Sequence, residues 1–160
     1  MRSFMAAALI CISLPVYGVQ GVKAPPAFDS LIDTLLEDIR TILSISIPSE
    51  KPIVFFADNR EIAEAYCRPN EQCNVAAITD EKTGVIYITA GLELNNPYNV
   101  GILFHELVHF VQVKNKMFAN LDGCERWAAA EHHAYSAQSN WLRYNNLPGF
   151  RVPNFSEKCK

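Results

Sequence analysis

Hydrophobic positions recur along this chain in more than one period, and each period predicts an element. Phe28, Leu31, Ile32, Leu35, Leu36, Ile39, Ile42 and Leu43 follow the helical repeat, so the segment reads as an amphipathic helix with one buried face. Pro48 and Pro52 interrupt that pattern, and Ile53-Val54-Phe55-Phe56 is a short β-prone run expected to form a buried strand. A second, short helix is expected from about Asn59 to Tyr66. Val75 to Thr79 and Val85 to Thr89 are β-branched or aromatic in character, and the polar loop Asp80-Glu81-Lys82-Thr83-Gly84 between them signals a hairpin. Asn96-Pro97 reads as a helix cap followed by proline at the first helical position. From Val100 to Val113 the following helix is apolar nearly all round, which places it in the middle of the domain. A last long helix is expected from Asp122-Gly123-Cys124-Glu125, read as a capping box with Asp122 as cap and Glu125 three residues on, to about Tyr144.

These elements fit one α+β domain over residues 28–160: a small mixed sheet packed on helices, with one helix central and another C-terminal. A chain with 49% hydrophobic and 19% charged residues can bury a real core. Residues 19–27, with Gly, Lys and a Pro-Pro pair, read as a linker. Residues 1–18 differ from the rest, with Arg2 followed by an almost unbroken apolar run from Phe4 to Val16. That run is too short for a membrane span, which needs roughly 20 apolar residues, and reads as a secretory signal cleaved near Gly18. The expected product is exported, periplasmic or secreted, with no stable membrane anchor. Of the 14 Lys and Arg only Arg2 lies in this segment, whereas all 17 Asp and Glu lie beyond it. The remaining chain is mildly acidic and has no basic stripe, which argues against a nucleic-acid partner. Beyond the signal, Cys67, Cys73, Cys124 and Cys159 are an even set suited to an oxidising compartment. Of the three pairings they allow, Cys67–Cys73 and Cys124–Cys159 is favoured, closing a polar loop and tying down the C-terminus.

The central helix carries His105-Glu106-Leu107-Val108-His109, an H-E-x-x-H motif. Two histidines four residues apart project from one helix face and can share a metal ion, while Glu106 beside them is placed to reach water at the metal. With 4 His in the chain, chance yields about 0.007 such motifs, so the motif carries information. A helix this apolar would also bury these side chains at considerable cost unless they were partnered. A catalytic zinc site needs three protein ligands and one open position. The last helix offers the third in Glu131, which lies among Trp127, Ala128, Ala134, Tyr135, Gln138 and Leu142, a mainly apolar stripe where a carboxylate is expensive unless it meets a cation. Glu125 is the weaker candidate, being explained by capping. Gln112 and Gln138, each seven residues from a proposed ligand, are candidates for supporting contacts behind the ligands, with polar packing the competing reading. Tyr135 could donate to a developing oxyanion or simply pack as a core aromatic. His132 could flank the site, while His133 is expected to face away.

An HExxH helix followed by a helix carrying a glutamate ligand resembles the gluzincins, the thermolysin-like zinc metallopeptidases. The longer pattern, with Gln112 after the motif and Glu131, Ala134, Tyr135 and Gln138 on the last helix, is similar to small uncharacterised exported bacterial HExxH proteins. The resemblance covers roughly residues 75–145. It implies a zincin-like fold, one zinc ion per chain held by His105, His109 and Glu131, and Glu106 as general base acting on a peptide or other amide. It departs from the thermolysin-like pattern at Tyr135, where those enzymes place an acidic residue, and no large C-terminal helical domain is expected. A substrate strand is expected to add along Val85–Thr89. The competing reading is a non-catalytic zinc-binding or peptide-binding module, or an inactive metallopeptidase relative.

Overall fold

A computed structural model describes residues 19–66 and 75–159. The proposed signal segment and the Cys67–Cys73 bridge lie outside the described residues. No described helix is long and apolar enough to cross a membrane.

The amphipathic segment forms helix α1 (Asp29–Leu43), which buries Ile32, Leu35, Leu36 and Ile39 and ends at Ser44 in the left-handed conformation. The apolar run after the prolines becomes strand β2 (Val54–Ala57), and helix α2 (Asn59–Tyr66) follows with the expected bounds. The hairpin forms as β3 (Ala77–Thr79) and β4 (Ile86–Thr89), antiparallel, with Thr79 opposite Ile86. Its loop is closed by Asp80, whose carboxylate accepts from the backbone N–H groups of Lys82 and Thr83 at 2.8 and 2.9 Å. Gly84 sits at φ +77°, and a Cβ there would lie 3.0 Å from the Phe110 ring, so both backbone and packing require glycine.

Gly21–Lys23, within the segment expected to be a linker, forms an edge strand β1 antiparallel to β2. All three of its residues are exposed, so no hydrophobic alternation marked it, and its pairing comes from the free backbone edge of β2. The sheet order is β1-β2-β4-β3, with β2 and β4 parallel. Alternation along the strands divides the core. Val54, Ala77, Ile86 and Ile88 face α1 and the two long helices, whereas Ala57 and Ile78 pack with Ile62 of α2 on the opposite face.

Because β4 lies between β2 and β3, both its edges are paired, and an added strand cannot lie along Val85–Thr89. Among the described residues, the open edge beside the central helix belongs to β3. Thr89 N–H donates to Ala76 O and Asp80 N–H to Val85 O, so Ala76 and Asp80 pair with β4. The antiparallel repeat then turns the backbone groups of Ala77 and Thr79 to the outer side.

The central helix is α3 (Pro97–Lys114), capped as expected by Asn96, whose side chain accepts from Tyr98 N–H. Leu103, Phe104, Leu107, Val108 and Val111 are fully buried. The last helix, α4 (Gly123–Tyr144), packs antiparallel to it. Phe104 stacks on Trp141 at 5.3 Å, and Trp141 Nε1–H donates to Asp38 of α1 at 2.8 Å, locking the three helices together. The expected capping box does not form. Asp122 makes no side-chain cap, because the chain enters α4 through Gly123 at φ +47° and the Asp122 carboxylate pairs with Arg126 at 3.6 Å.

Cys124 and Cys159 are joined, fastening a short 3-10 helix (Phe155–Cys159) onto the first turns of α4. Phe155 is thereby buried, edge-on to Trp127 and stacked on Tyr135 at 5.2 Å. The Cys159→Ser variant should lose about 2–5 kcal/mol of stability, the usual cost of opening such a loop. Denaturant melts would measure it, and non-reducing peptide mapping would confirm the bridge.

Candidate metal centre

The HExxH spacing works on α3 as helix geometry demands. His105 and His109 stand one turn apart and turn their Nε2 atoms toward each other at 3.0 Å. α4 crosses antiparallel over this turn and delivers Glu131, whose two carboxylate oxygens each lie 3.6 Å from one of those nitrogens. The three side chains form a group that could hold a metal ion, with one ligand atom from each within 4.8 Å of the others.

The donor set fits a metal. Two donors about 2.0–2.2 Å from a tetrahedral ion stand roughly 3.3–3.6 Å apart, close to the separations here. Two imidazole nitrogens and a carboxylate, all lone-pair donors, converge where only a proton or a cation relieves their repulsion. Burial works to raise the pKa of Glu131, but the His105 and His109 rings outweigh it and hold the carboxyl below its ordinary value.

Gln112, buried one turn beyond, supports His109. Its amide oxygen lies 2.8 Å from His109 Nδ1, and its amide nitrogen donates to Ala130 O at 3.1 Å. A carbonyl can only accept, so the nitrogen must face Ala130 and the oxygen must face His109. His109 therefore carries its proton on Nδ1 and leaves Nε2 free to bind. His105 has no equivalent support, since its Nδ1 is buried without a hydrogen-bond partner among the described residues. Its ring is held by packing, edge-on to Tyr135 at 4.4 Å.

Glu106 points elsewhere on the helix, toward the sheet. It is buried, and its Oε2 lies 2.7 Å from the Thr79 hydroxyl, which also lies 3.0 Å from the Glu106 carbonyl oxygen. Burial raises the Glu106 pKa, against the opposing effects of His109 and Thr79. A neutral Glu106 can donate to the hydroxyl, and an ionised one can accept from it, so Thr79 serves both protonation states. Sequence reasoning missed Thr79. Its parity with Ala77 rather than Ile78 put it on the helix-facing side of the strand, but nothing in the sequence pairs it with a residue 27 positions away.

The remaining candidates separate. Gln138 is buried, but no hydrogen bond joins it to His105, His109 or Glu131. Tyr135 packs between His105 and Phe155 as an aromatic of the core margin. The two adjacent histidines exchange places relative to expectation. His132 is exposed, whereas His133 lies against Gln112 with Nδ1 3.0 Å from the amide nitrogen. Fully buried Ala134, rather than Glu131, marks the inward direction of α4. From it His132 lies about 160° round the helix and His133 about 100°. Glu131 occupies one flank of the packed face and His133 the other.

Compared with known proteins, no curated protein and no solved structure matches this chain. A family match runs over residues 24–150, which takes in strands β2 to β4, both motif helices and all three converging side chains. The chain therefore belongs to DUF6647, described as a domain of unknown function.

Proposed function

We propose that this protein is an exported zinc-dependent metallohydrolase of the gluzincin-like kind, a metallopeptidase with Glu106 as general base. The observation that carries the reading is the convergence of His105, His109 and Glu131 from two helices, with Glu106 on the same turn as the histidines. Zinc ligation alone would not require a buried glutamate there. When bound, zinc supplies Lewis-acid polarisation of an amide carbonyl and makes a neighbouring water more acidic.

The protein's own groups do the rest. Gln112 holds the His109 tautomer, and the packed Tyr135 ring holds His105 in orientation. Glu106, its pKa raised by burial, takes a proton from the attacking water and delivers it to the departing amine nitrogen. Thr79 steers that carboxyl through both states. A peptide adding along the outer edge of β3 would run beside the strand that carries Thr79, which joins substrate docking to the base.

The experiment is a zinc titration of the purified protein followed by a peptide-library screen with and without a chelator. Cleavage that the chelator abolishes and zinc restores supports the reading. One bound zinc with no cleavage across the library would favour the binding-module alternative. A further outcome concerns Thr79. Thr79→Val keeps the shape and removes the hydroxyl, leaving the buried Glu106 carboxyl without this partner. It should lower stability by about 1–3 kcal/mol, read from urea melts of the metal-free protein.

A further inference from the structure

We propose that His133 is a positioning residue for the metal centre, acting on His109 through the Gln112 amide. The inference rests on the reading of His109 as a metal ligand.

The contacts form one chain across the α3–α4 interface: His133 Nδ1 to Gln112 Nε2 at 3.0 Å, then Gln112 Oε1 to His109 Nδ1 at 2.8 Å. The amide nitrogen has two hydrogens, and each has an acceptor, Ala130 O and His133 Nδ1. If the amide turned over, its oxygen would face the Ala130 carbonyl and the His133 lone pair together. His109 Nδ1 would then face a donor, and its proton would move to the nitrogen that must bind metal. Ala130 opposes this rotation alone; His133 doubles the opposition.

The fold also holds His133 in place. The Phe118 ring meets the His133 ring edge-on at 5.8 Å. Phe118 reaches that position from the α3–α4 connection with φ +59°, a left-handed conformation unfavourable for a bulky residue. A strained backbone that seats an aromatic against one histidine is consistent with selection for that ring's orientation.

The test combines zinc affinity with the tautomer of His109. His133→Phe removes the acceptor and keeps an aromatic beside Phe118; Gln112→Leu removes the amide; the third variant carries both changes. Zinc affinity is measured by competition with a chromophoric chelator at a pH above the imidazole range. Gln112→Leu should weaken zinc roughly 10–100-fold and His133→Phe about tenfold, as for other groups that orient metal-binding histidines. The double variant should bind no more weakly than Gln112→Leu alone, because His133 acts only through Gln112. His133→Asn, whose amide oxygen can accept in place of Nδ1, should recover most of the affinity.

Long-range nitrogen–proton NMR of the metal-free protein gives a second readout that a general structural role would not move. His109 should be protonated at Nδ1 in the wild type and at both nitrogens in exchange in His133→Phe. An equal loss of affinity in the presence and absence of Gln112, or an unchanged His109 tautomer in His133→Phe, would overturn the proposal. If the wild type binds no zinc, the metal reading fails by itself, and the tautomer measurement still decides whether His133 orients His109. Should His133→Phe not fold, His133→Asn and Gln112→Leu carry the same comparison.

Discussion

Glu106→Gln is expected to retain one zinc ion per chain and to lose hydrolysis by at least about 10²-fold, the lower end of general-base contributions. The expectation follows from where Glu106 stands. It shares the turn of α3 with both histidines but directs its carboxyl to Thr79, outside the His105–His109–Glu131 triangle. Glutamine keeps the volume and can still hydrogen-bond Thr79, so neither packing nor metal content should change. Only the capacity to take up and release a proton is lost. Zinc is measured by elemental analysis and hydrolysis on whichever peptide the library identifies. Loss of zinc as complete as that caused by His109→Ala would assign Glu106 to the ligands and remove it as the base.

The complementary change, Glu131→Ala, should lower zinc occupancy and thermal stability together, and His109→Ala should do the same. Metal bound only by the folded chain adds its binding free energy to folding. At about 1,000 times Kd, that contribution amounts to about 4 kcal/mol. Without metal the loss for Glu131→Ala should be much smaller. Glu131 sits at 15% side-chain exposure between the two histidines that hold its carboxyl below its ordinary pKa, so its removal from the metal-free protein costs only that partly offset interaction. Paired thermal melts with and without zinc separate the two effects. A variant equally destabilised in both conditions would mean that Glu131 is structural.

The sequence was readable where local chemistry decides structure. The periodicity of α1, the Asn96-Pro97 cap and the Gly84 turn each depend on neighbours within a few residues, and each element formed as read. The converging side chains were also legible, because helix geometry alone aligns His105 with His109 and because a carboxylate among apolar residues at 131 needed a reason. What failed depended on partners distant in sequence. β1 exists because the β2 edge was open, and three exposed residues leave no trace of that in their own pattern. The capping box failed because Gly123 took a left-handed conformation. His132 and His133 were misplaced because Glu131 was taken as the centre of the packed face, when Ala134 marks it and Glu131 lies on its flank. Thr79 required knowing which strand lies under Glu106.

Whether His105, His109 and Glu131 hold one zinc ion is decided by a crystal structure of the zinc-loaded protein with anomalous data at the zinc edge. A single ion per chain should appear, bound by Nε2 of both histidines and an oxygen of Glu131 at about 2.0–2.2 Å, with a coordination position open to solvent. An ion located elsewhere, or one bound with Glu131 turned several ångströms away and another side chain in its place, would contradict it.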